Sequence, residues 1–417
     1  MQIDFSIVVL ALVFVGIAVR QVGRVRLPIW QVMSLGAVAV LVAGRISPAQ
    51  ALGAIHIDVI LYLFGMFVVA RALESSGYLA HIASRFFTRA RSADALVLLV
   101  IFGMGLASAF LMNDTLAIIG TPVVLHQARR HNLCPRFLLL ALAFAITTGS
   151  VMSPIGNPQN LLIAVEGEML NPFITFLQHL FLPTLVSLFL IYAVLKVFYR
   201  DQFHDFPLAH VEEPVLDAHL ARLARISLWV VLVMTVVKVA LVGVASGAGF
   251  RLCYIALAGA MPILLFSPRR VTLVRQIDWS TLVFFAAMFV LMESVWESGF
   301  FQTLILRYEF DLTANLTLLV LGVLLSQLIS NVPLVALILP VLVLMNPAME
   351  NFVSLAAGST LAGNLFILGA ASNIIIIQNA ENRAAEAPAF MEFAKVGVPL
   401  TVLQVAVYWI FLARTGF

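Results

Sequence analysis

The feature that most constrains this chain is a succession of long apolar runs, of which Phe5–Val19 is the first. Hydrophobic residues make up 62% of the 417 residues and charged residues 11%, and the mean hydropathy is +1.05. Runs of roughly 17 to 25 apolar residues fit spanning helices, whereas barrel strands alternate over about ten residues. Since backbone groups in lipid must be satisfied within their own segment, the sequence predicts an all-α polytopic membrane protein surrounded by membrane lipids.

Several classes of function lack their residues in this sequence. The net charge is only +3, and no long basic run with interleaved aromatics indicates a nucleic-acid partner. Cys134 and Cys253 lie far apart, and the histidines show no ligand spacing, so no metal site is expected. The sequence contains no Walker A, G-x-S-x-G or H-E-x-x-H motif. We therefore expect no catalytic residues and no cofactor, and an ion gradient as the energy source.

The placement of positive charge predicts the orientation in the membrane. Of the 24 lysines and arginines, eighteen fall in alternate loops, four in the opposite loops and two within spans. Positive residues accumulate in cytoplasmic loops. We therefore expect a multi-pass protein of a prokaryotic cytoplasmic (inner) membrane, with both termini outside. The first apolar run has no basic segment before it, which favours a retained helix over a signal peptide.

The two halves of the chain repeat one another. The matched stretches are Met66–Tyr78 with Met288–Phe300, Ser108–Val123 with Ser326–Val341, and Gly156–Ile163 with Gly369–Ile377. Their common order predicts a first membrane repeat at 1–200, a cytoplasmic linker at 201–225 and a second repeat at 226–417. Each half holds five crossings and a paired segment that returns to its own side. The second repeat therefore starts on the opposite face, as in inverted-repeat transporters.

Four polar stretches interrupt the apolar runs at repeat-equivalent positions. The paired segments contain Met112–Thr115 (the first tip) and Ile329–Pro333 (the second tip), and two broken spans contain Pro154–Asn160 (the first break) and Leu368–Asn373 (the second break). Irregular backbone at membrane depth is tolerated where it is buried in protein or lines a cavity. We expect two re-entrant helical hairpins and two broken helices to meet near the midplane. The alternative is that each stretch is an ordinary packing kink.

These four stretches resemble the motifs of the ion transporter superfamily. SNVPLVALILP and MNDTLAIIGTP are similar to its hairpin tips, and SPIGNPQNLLIA and AGNLFILGAASNIII to its broken helices. The superfamily includes divalent-anion/sodium symporters, citrate–metal transporters, arsenite pumps and a type of sodium/proton antiporter. The chain looks most like the arsenite-pump and bacterial anion-transporter branches, which are similar to citrate transporters. The resemblance also implies a homodimer in which a scaffold holds a moving core.

The candidate binding residues come from the tips and the breaks. They are Asn113, Asp114 and Thr115; Ser330, Asn331 and Val332; Gly156, Asn157, Pro158, Gln159 and Asn160; and Gly369, Ser372 and Asn373. Their amides and hydroxyls suit a small anion, and helix N-termini after the breaks add favourable potential. Asp114 is the candidate coupling residue, because a carboxylate in the membrane is costly unless it is paired, hydrated or bound to a cation. A structural turn acid is the alternative. The symporters have Ser-Asn-Thr at both tips, and this departure weakens the case for a dicarboxylate.

The sequence thus predicts a secondary transporter that moves a small inorganic or carboxylic anion, coupled to H⁺ or Na⁺ by alternating access. Arsenite efflux is the most concrete form that the resemblance implies. A Na⁺/H⁺ antiporter is the first alternative, with Asp114 binding the transported ion. A membrane enzyme would need a nucleophile or metal cluster that the sequence lacks, and a uniport channel suits two inverted hairpins less well.

Overall fold

A computed structural model describes residues 4–19, 21–22, 25–26, 28–87, 90, 92–203, 214–244, 250–300, 303, 312–345, 347–383 and 386–414. In the first half the helices are α1 (Phe5–Val19), α2 (Ile29–Val42), α3 (Pro48–Ala54), α4 (Ile57–Ser75), α5 (Tyr78–Phe87), α6 (Ala93–Leu99), α7 (Gly105–Leu111), α8 (Asn113–Arg130), α9 (Pro135–Ser150), α10 (Pro158–Glu166) and α11 (Pro172–Phe198). A π-helical turn, Val100–Met104, joins α6 to α7, and Gln21–Val22 pairs with Val25–Arg26 in a short antiparallel ladder.

The second half repeats this order. Its helices are α12 (Ala218–Val244), α13 (Leu252–Phe266), α14 (Arg270–Arg275), α15 (Trp279–Glu297), α16 (Asn315–Ile329), α17 (Asn331–Leu344), α18 (Met349–Leu365), α19 (Ala371–Glu381) and α20 (Phe390–Arg414). A short 3₁₀ turn, Ile367–Gly369, precedes α19. Because α12 begins at Ala218, residues 218–225 of the predicted linker are helical. Residues 204–213 of that linker and both chain ends lie outside the described residues.

Backbone geometry confirms the internal repeat. Helices α4 and α15 each contain 19 residues, and each is followed by a glycine at φ +69°, Gly77 or Gly299. The hairpin tips turn at Met112 (φ +59°) and Ser330 (φ +71°). Such values are uncommon for residues other than glycine. Their recurrence at matched positions means that both halves follow the same path.

The helices pack into two groups, which we call the frame and the core. In the frame, α4 packs chiefly on α13, and α15 packs on α2. In the core, α8 packs on α9 and α19, and α17 packs on α10 and α18. The two halves therefore pack against each other in an equivalent way. Helix α4 packs on α13, and its repeat equivalent α15 packs on α2, the repeat equivalent of α13.

The centre of the core consists of α9 and α18. All residues of Phe137–Ser150 and Asn351–Leu365 are buried, as expected for helices that neighbours surround on every side. Glycines let the hairpin arms approach closely. A Cβ on Gly149 would lie 1.9 Å from the Gly105 oxygen, and a Cβ on Gly322 would lie 2.8 Å from the Gly358 carbonyl carbon. Such small-residue contacts are typical of packed membrane helices.

Five segments of the described chain are long and apolar enough to cross a membrane. They are Ala93–Leu111, Pro172–Phe198, Ala218–Leu241, Trp279–Glu297 and Phe390–Ala413. Helices α3 and α4 meet at a 52° bend and together form a sixth candidate span. The all-α polytopic architecture expected from the sequence is thereby confirmed, with inverted repeats, hairpins and broken helices.

Candidate functional site

Four helices begin at one cavity near the middle of the protein. Their first residues, Asn113 of α8, Pro158 of α10, Asn331 of α17 and Ala371 of α19, all line this cavity of about 480 Å³. The first peptide N–H groups of a helix have no partner within the helix and carry partial positive charge. The cavity therefore receives four such helix ends, two from hairpin tips and two from breaks.

Helix ends from both halves contribute to the lining of the cavity. Trp30 near the start of α2, Ser280 near the start of α15 and Gln378 near the end of α19 line it. These helix ends adjoin the positive loops that the sequence predicts on the cytoplasmic side.

Two carboxylates face this cavity. Asp114, the second residue of α8, is partly buried, and its carboxylate has no hydrogen bond or salt bridge to the described residues. Asp278 caps the start of α15 and accepts hydrogen bonds from the Thr281 N–H at 3.1 Å and the Ser280 hydroxyl at 2.9 Å. None of the lining residues that the structure describes is Lys, Arg or His. The fixed side-chain charge of the cavity is therefore acidic.

Strained and close-packed backbone holds the tips against the breaks. The Asn113 N–H donates to the Gly156 carbonyl at 3.0 Å, which fixes the first tip on the first break. A Cβ on Gly156 would lie 2.3 Å from the Ser150 oxygen, and one on Gly369 would lie 2.2 Å from the Ala362 oxygen. Only glycine fits positions where backbone approaches so closely. This is why each broken helix contains a glycine.

Polar side chains of the first break form hydrogen bonds with nearby backbone groups and with Thr360 of α18. Asn157 caps α10 through the Asn160 N–H at 2.9 Å and donates to the Thr360 hydroxyl at 3.1 Å. The Asn160 amide donates to the carbonyls of Ser150, Val151 and Ser153 at 3.1, 3.3 and 3.0 Å. Gln159 donates to Thr360 at 3.2 Å. The side-chain amides of Asn157, Gln159 and Asn160 thus stabilise the first break.

The counterparts in the second half carry free oxygens. Ser326 Oγ, Asn331 Oδ1, Ser372 Oγ and Asn373 Oδ1 are buried and have no hydrogen-bond partner among the described residues. Their repeat equivalents are Ser108, Asn113, Gln159 and Asn160, and each of these makes a side-chain hydrogen bond. Buried polar atoms are rarely left unpaired. These four positions of the second half therefore each have a side-chain oxygen without a partner among the described residues, whereas their counterparts in the first half are hydrogen-bonded.

The sequence profile of a family described as "Citrate transporter" matches residues 8–362. The chain belongs to the citrate transporter family. An uncharacterized transporter of Mycobacterium tuberculosis is 28% identical over 377 residues, which covers 85% of this chain and 85% of the relative. The P protein of Homo sapiens is 24% identical over 466 residues, covering 90% of this chain and 55% of the P protein. The expected place in the ion transporter superfamily is confirmed.

A solved structure has the same fold as this member of the citrate transporter family. The crystal structure of the Alcanivorax borkumensis YdaH transporter, described as having an unusual topology, matches 92% of this chain and 89% of its own chain. The TM-score is 0.58 at 14% sequence identity. The likeness supports the fold.

Some of the predicted residues reach the cavity of this family member and others support it. Asn113, Asp114, Pro158, Gln159, Ser330, Asn331 and Val332 line the cavity. Thr115 lines a smaller cavity of about 140 Å³, which Asp114 also lines. The predicted residues outside the main lining are Gly156, Asn157, Asn160, Gly369, Ser372 and Asn373. Ligand binding by the whole set stays a prediction.

Asp278 and Gln378 were not among the predicted site residues, although both line the main cavity. A signal for Asp278 was present, because it lies ten residues before the repeated segment Met288–Phe300 and starts a helix. Its repeat counterpart is His56, whose Nδ1 lies 2.7 Å from Glu166 Oε1.

Proposed function

We propose that this transporter carries a small carboxylic anion by alternating access, and that H⁺ or Na⁺ bound at Asp114 couples the gradient to the anion. The observation that carries the proposal is the meeting of four helix N-termini at one cavity together with Asp114. Helix N-termini favour anions, and an unpaired carboxylate in a membrane protein favours a proton or cation.

The charges of the cavity supply a physical reason for coupling. Each helix N-terminus contributes about half a positive charge, so four ends offset roughly two carboxylates. With Asp114 and Asp278 both ionised, the cavity has little net attraction for an anion. When a proton or cation neutralises Asp114, the positive charge of the helix ends exceeds the remaining negative charge of Asp278. The anion then binds best after the coupling ion, which links the two species in one transport step.

The free oxygens of the second half provide ligands for this chemistry. Asn331 lines the cavity and has an amide oxygen without a hydrogen-bond partner among the described residues, and Ser372 in the second break has a buried hydroxyl oxygen without one. Oxygen atoms are the ligands of hard cations, and they also accept hydrogen bonds from a hydroxylated substrate. The cavity of about 480 Å³ falls in the size range of sites for small organic molecules. This volume favours a carboxylic anion over arsenite, which has only a few atoms.

The test is uptake by proteoliposomes containing the purified protein. Labelled citrate and arsenite are offered separately under an inward H⁺ gradient, an inward Na⁺ gradient and no gradient. We expect citrate, or another small carboxylate in a competition series, to accumulate only under one of the gradients. Accumulation of arsenite without any carboxylate transport would mean that the substrate is an inorganic oxyanion and not a carboxylic anion. Equal uptake with and without a gradient would contradict coupling.

A Na⁺/H⁺ antiporter is the second candidate, favoured by the two carboxylates in a cavity whose described lining has no basic side chain. In that case Asp114 would bind the transported cation itself. Proton movement driven by an alkali cation in vesicles without any organic or inorganic substrate anion would support this candidate. Proton movement that requires the carboxylate supports the anion transporter.

A further inference from the structure

Two smaller cavities correspond to each other through the internal repeat. The outer cavity, of about 390 Å³, lies at the end of α15 and α17, and the inner cavity, of about 140 Å³, at the end of α4. Corresponding lining residues are His56 and Asp278, Phe289 and Phe67, Glu293 and Arg71, Trp296 and Glu74, Ala336 and Ile118, and Leu162 and Ile375. The cavities are therefore one structural feature present twice, at opposite faces.

The two cavities differ in their relation to the binding site. Asp114 lines both the inner cavity and the main cavity, so these two adjoin. The described lining of the outer cavity includes no residue of the first or second tip. In this conformation the inner cavity adjoins the site, whereas the described lining of the outer cavity shares no residue with it.

A contact between a histidine and a glutamate joins the frame to the core at the outer cavity. His56 caps the start of α4 in the frame, and Glu166 is the last residue of α10 in the core. Their atoms Nδ1 and Oε1 lie 2.7 Å apart, and the side chains are 37% and 32% exposed. A partly exposed pair contributes little to folding stability. Such a contact is suited to opening and closing in every cycle.

The repeat counterparts of this pair share no hydrogen bond or ion pair in the part of the chain that the structure describes. Asp278 corresponds to His56, and Asn379 corresponds to Glu166 in the register that aligns the two breaks. The hydrogen bonds of the Asp278 side chain that the structure describes are local, to Ser280 and Thr281. Asp278 and Gln378, the neighbour of Asn379, both line the main cavity. The second pair would therefore meet beside the main cavity.

We propose that His56 and Glu166 form the outer gate, that Asp278 and Asn379 form the inner gate, and that only one gate is closed at a time. In inverted-repeat transporters, the opposite conformation exchanges the arrangements of the two repeats. Applied here, that exchange brings the Asp278 carboxylate to the Asn379 amide, which donates a hydrogen bond to it. The same movement separates His56 from Glu166. This inference rests on alternating access in the proposed function and is independent of the substrate.

The experiment uses two probes of different chemistry, one for each gate. In full-length protein with Cys134→Ser and Cys253→Ser, Glu166→His places a second imidazole at His56, so that Zn²⁺ can bridge the outer gate. Asp278→Cys with Asn379→Cys allows a short bifunctional thiol reagent to bridge the inner gate. We expect the thiol cross-link to form without Zn²⁺ and to be lost when Zn²⁺ is added from the outer side. Monodisperse elution from a sizing column checks that the variant is folded.

Two controls separate the gates from unspecific effects. The cysteine pair alone, with Glu166 retained, should cross-link equally with and without Zn²⁺. Arg251 and Asp58, whose Nη1 and Oδ2 atoms lie 3.1 Å apart, join two elements of the frame on the outer face. Arg251→Cys with Asp58→Cys should cross-link whether or not Zn²⁺ bridges His56 and Glu166→His.

A folded variant that never forms the Asp278→Cys/Asn379→Cys cross-link would overturn the proposal. Formation of the cross-link to the same extent with Zn²⁺ in place would also overturn it. Both readouts are taken without substrate, so they stand apart from the transport test. Mutually exclusive bridging with no anion transport would retain the gates and reject only the proposed substrate class.

Discussion

At the scale of single residues, repeat-equivalent asparagines have different tasks. Asn160 gives its amide to three carbonyls of the first break, whereas Asn373 donates to the Gly363 carbonyl at 2.6 Å and leaves its oxygen free. The sequence placed both residues at a binding site because both follow a helix break. The spacing of residues in the sequence does not show which side-chain oxygens accept hydrogen bonds from other groups of the protein. That difference depends on Thr360, which lies 200 residues from Asn160 in the chain.

Asn160→Ala and Asn373→Ala are therefore expected to behave differently. Asn160→Ala removes three hydrogen bonds to carbonyls of the first break, each of which contributes about 0.5–1.5 kcal/mol to stability. Asn373→Ala removes one such hydrogen bond and one free oxygen, so we expect a smaller loss of stability but weaker ligand or coupling-ion binding. Thermal unfolding in detergent, with and without citrate and Na⁺, measures both effects. Equal loss of stability in the two variants, with ligand stabilisation unchanged in Asn373→Ala, would contradict this division.

At the scale of elements, the sequence predicted the breaks and the hairpin turns well. Apolar runs of fixed length and the polar stretches inside them placed α9, α10, α18 and α19 within a few residues. The sequence did not predict the short helices α3 and α14. Each lies just before a span and shows no apolar periodicity of its own. The helical start of α12 was assigned to the linker, because its first residues are polar.

The breaks depend on glycine, and this dependence is testable. Gly156→Ala and Gly369→Ala would each place a Cβ within 2.3 Å or less of a carbonyl oxygen, so the break must shift. Overpacking of this kind costs about 1–3 kcal/mol, or more where backbone must move. Gly53→Ala is the matched control, because nothing lies within 4 Å of its Cβ position. We expect lower melting temperatures for Gly156→Ala and Gly369→Ala and an unchanged melting temperature for Gly53→Ala.

A melting temperature of Gly156→Ala or Gly369→Ala equal to that of Gly53→Ala would mean that the breaks tolerate a side chain. The close approach at the breaks would then not be what determines their geometry. Binding measured on the surviving folded fraction shows whether the altered break also displaces the helix N-terminus from the cavity.

At the scale of the whole molecule, the inverted repeat was predictable but the meeting of the two halves was not. Three matched segments and the bias of positive charge indicated two halves of opposite orientation. No pattern in the sequence indicated that α4 packs on α13 or that His56 contacts Glu166, since such contacts join residues far apart in the chain. Asp278 was missed for the same reason, because it reaches the site from the frame and not from a tip or break.

The orientation of the halves predicts a labelling pattern. In protein without Cys134 and Cys253, Arg130→Cys at the end of α8 should react with an impermeant thiol reagent only from the cytoplasm. Leu344→Cys at the end of α17, where the side chain is 72% exposed, should react only from outside. Arg200→Cys serves as the cytoplasmic control. Reaction of Arg130→Cys and Leu344→Cys from the same side would be incompatible with inverted repeats.

The central claim is that Asp114 couples an ion gradient to an anion held by four helix ends. Asp114→Asn keeps the shape of the side chain and removes its charge, so it imitates the neutralised state permanently. We expect the variant to bind the carboxylate with an affinity that no longer depends on pH or Na⁺. Since no coupling ion is released in the cycle, gradient-driven accumulation should be lost. Asp4→Asn, at an exposed salt bridge with Arg45, is the matched control.

The most direct measurement is the accumulation ratio of labelled carboxylate in proteoliposomes under an inward H⁺ or Na⁺ gradient, compared between wild type, Asp4→Asn and Asp114→Asn. The account predicts uphill accumulation in wild type and in Asp4→Asn. For Asp114→Asn it predicts equilibration to a ratio of about one, because an uncoupled carrier moves its substrate only down its own gradient. Accumulation by Asp114→Asn equal to wild type at every pH and Na⁺ concentration would show that Asp114 is a structural turn acid and not the coupling residue.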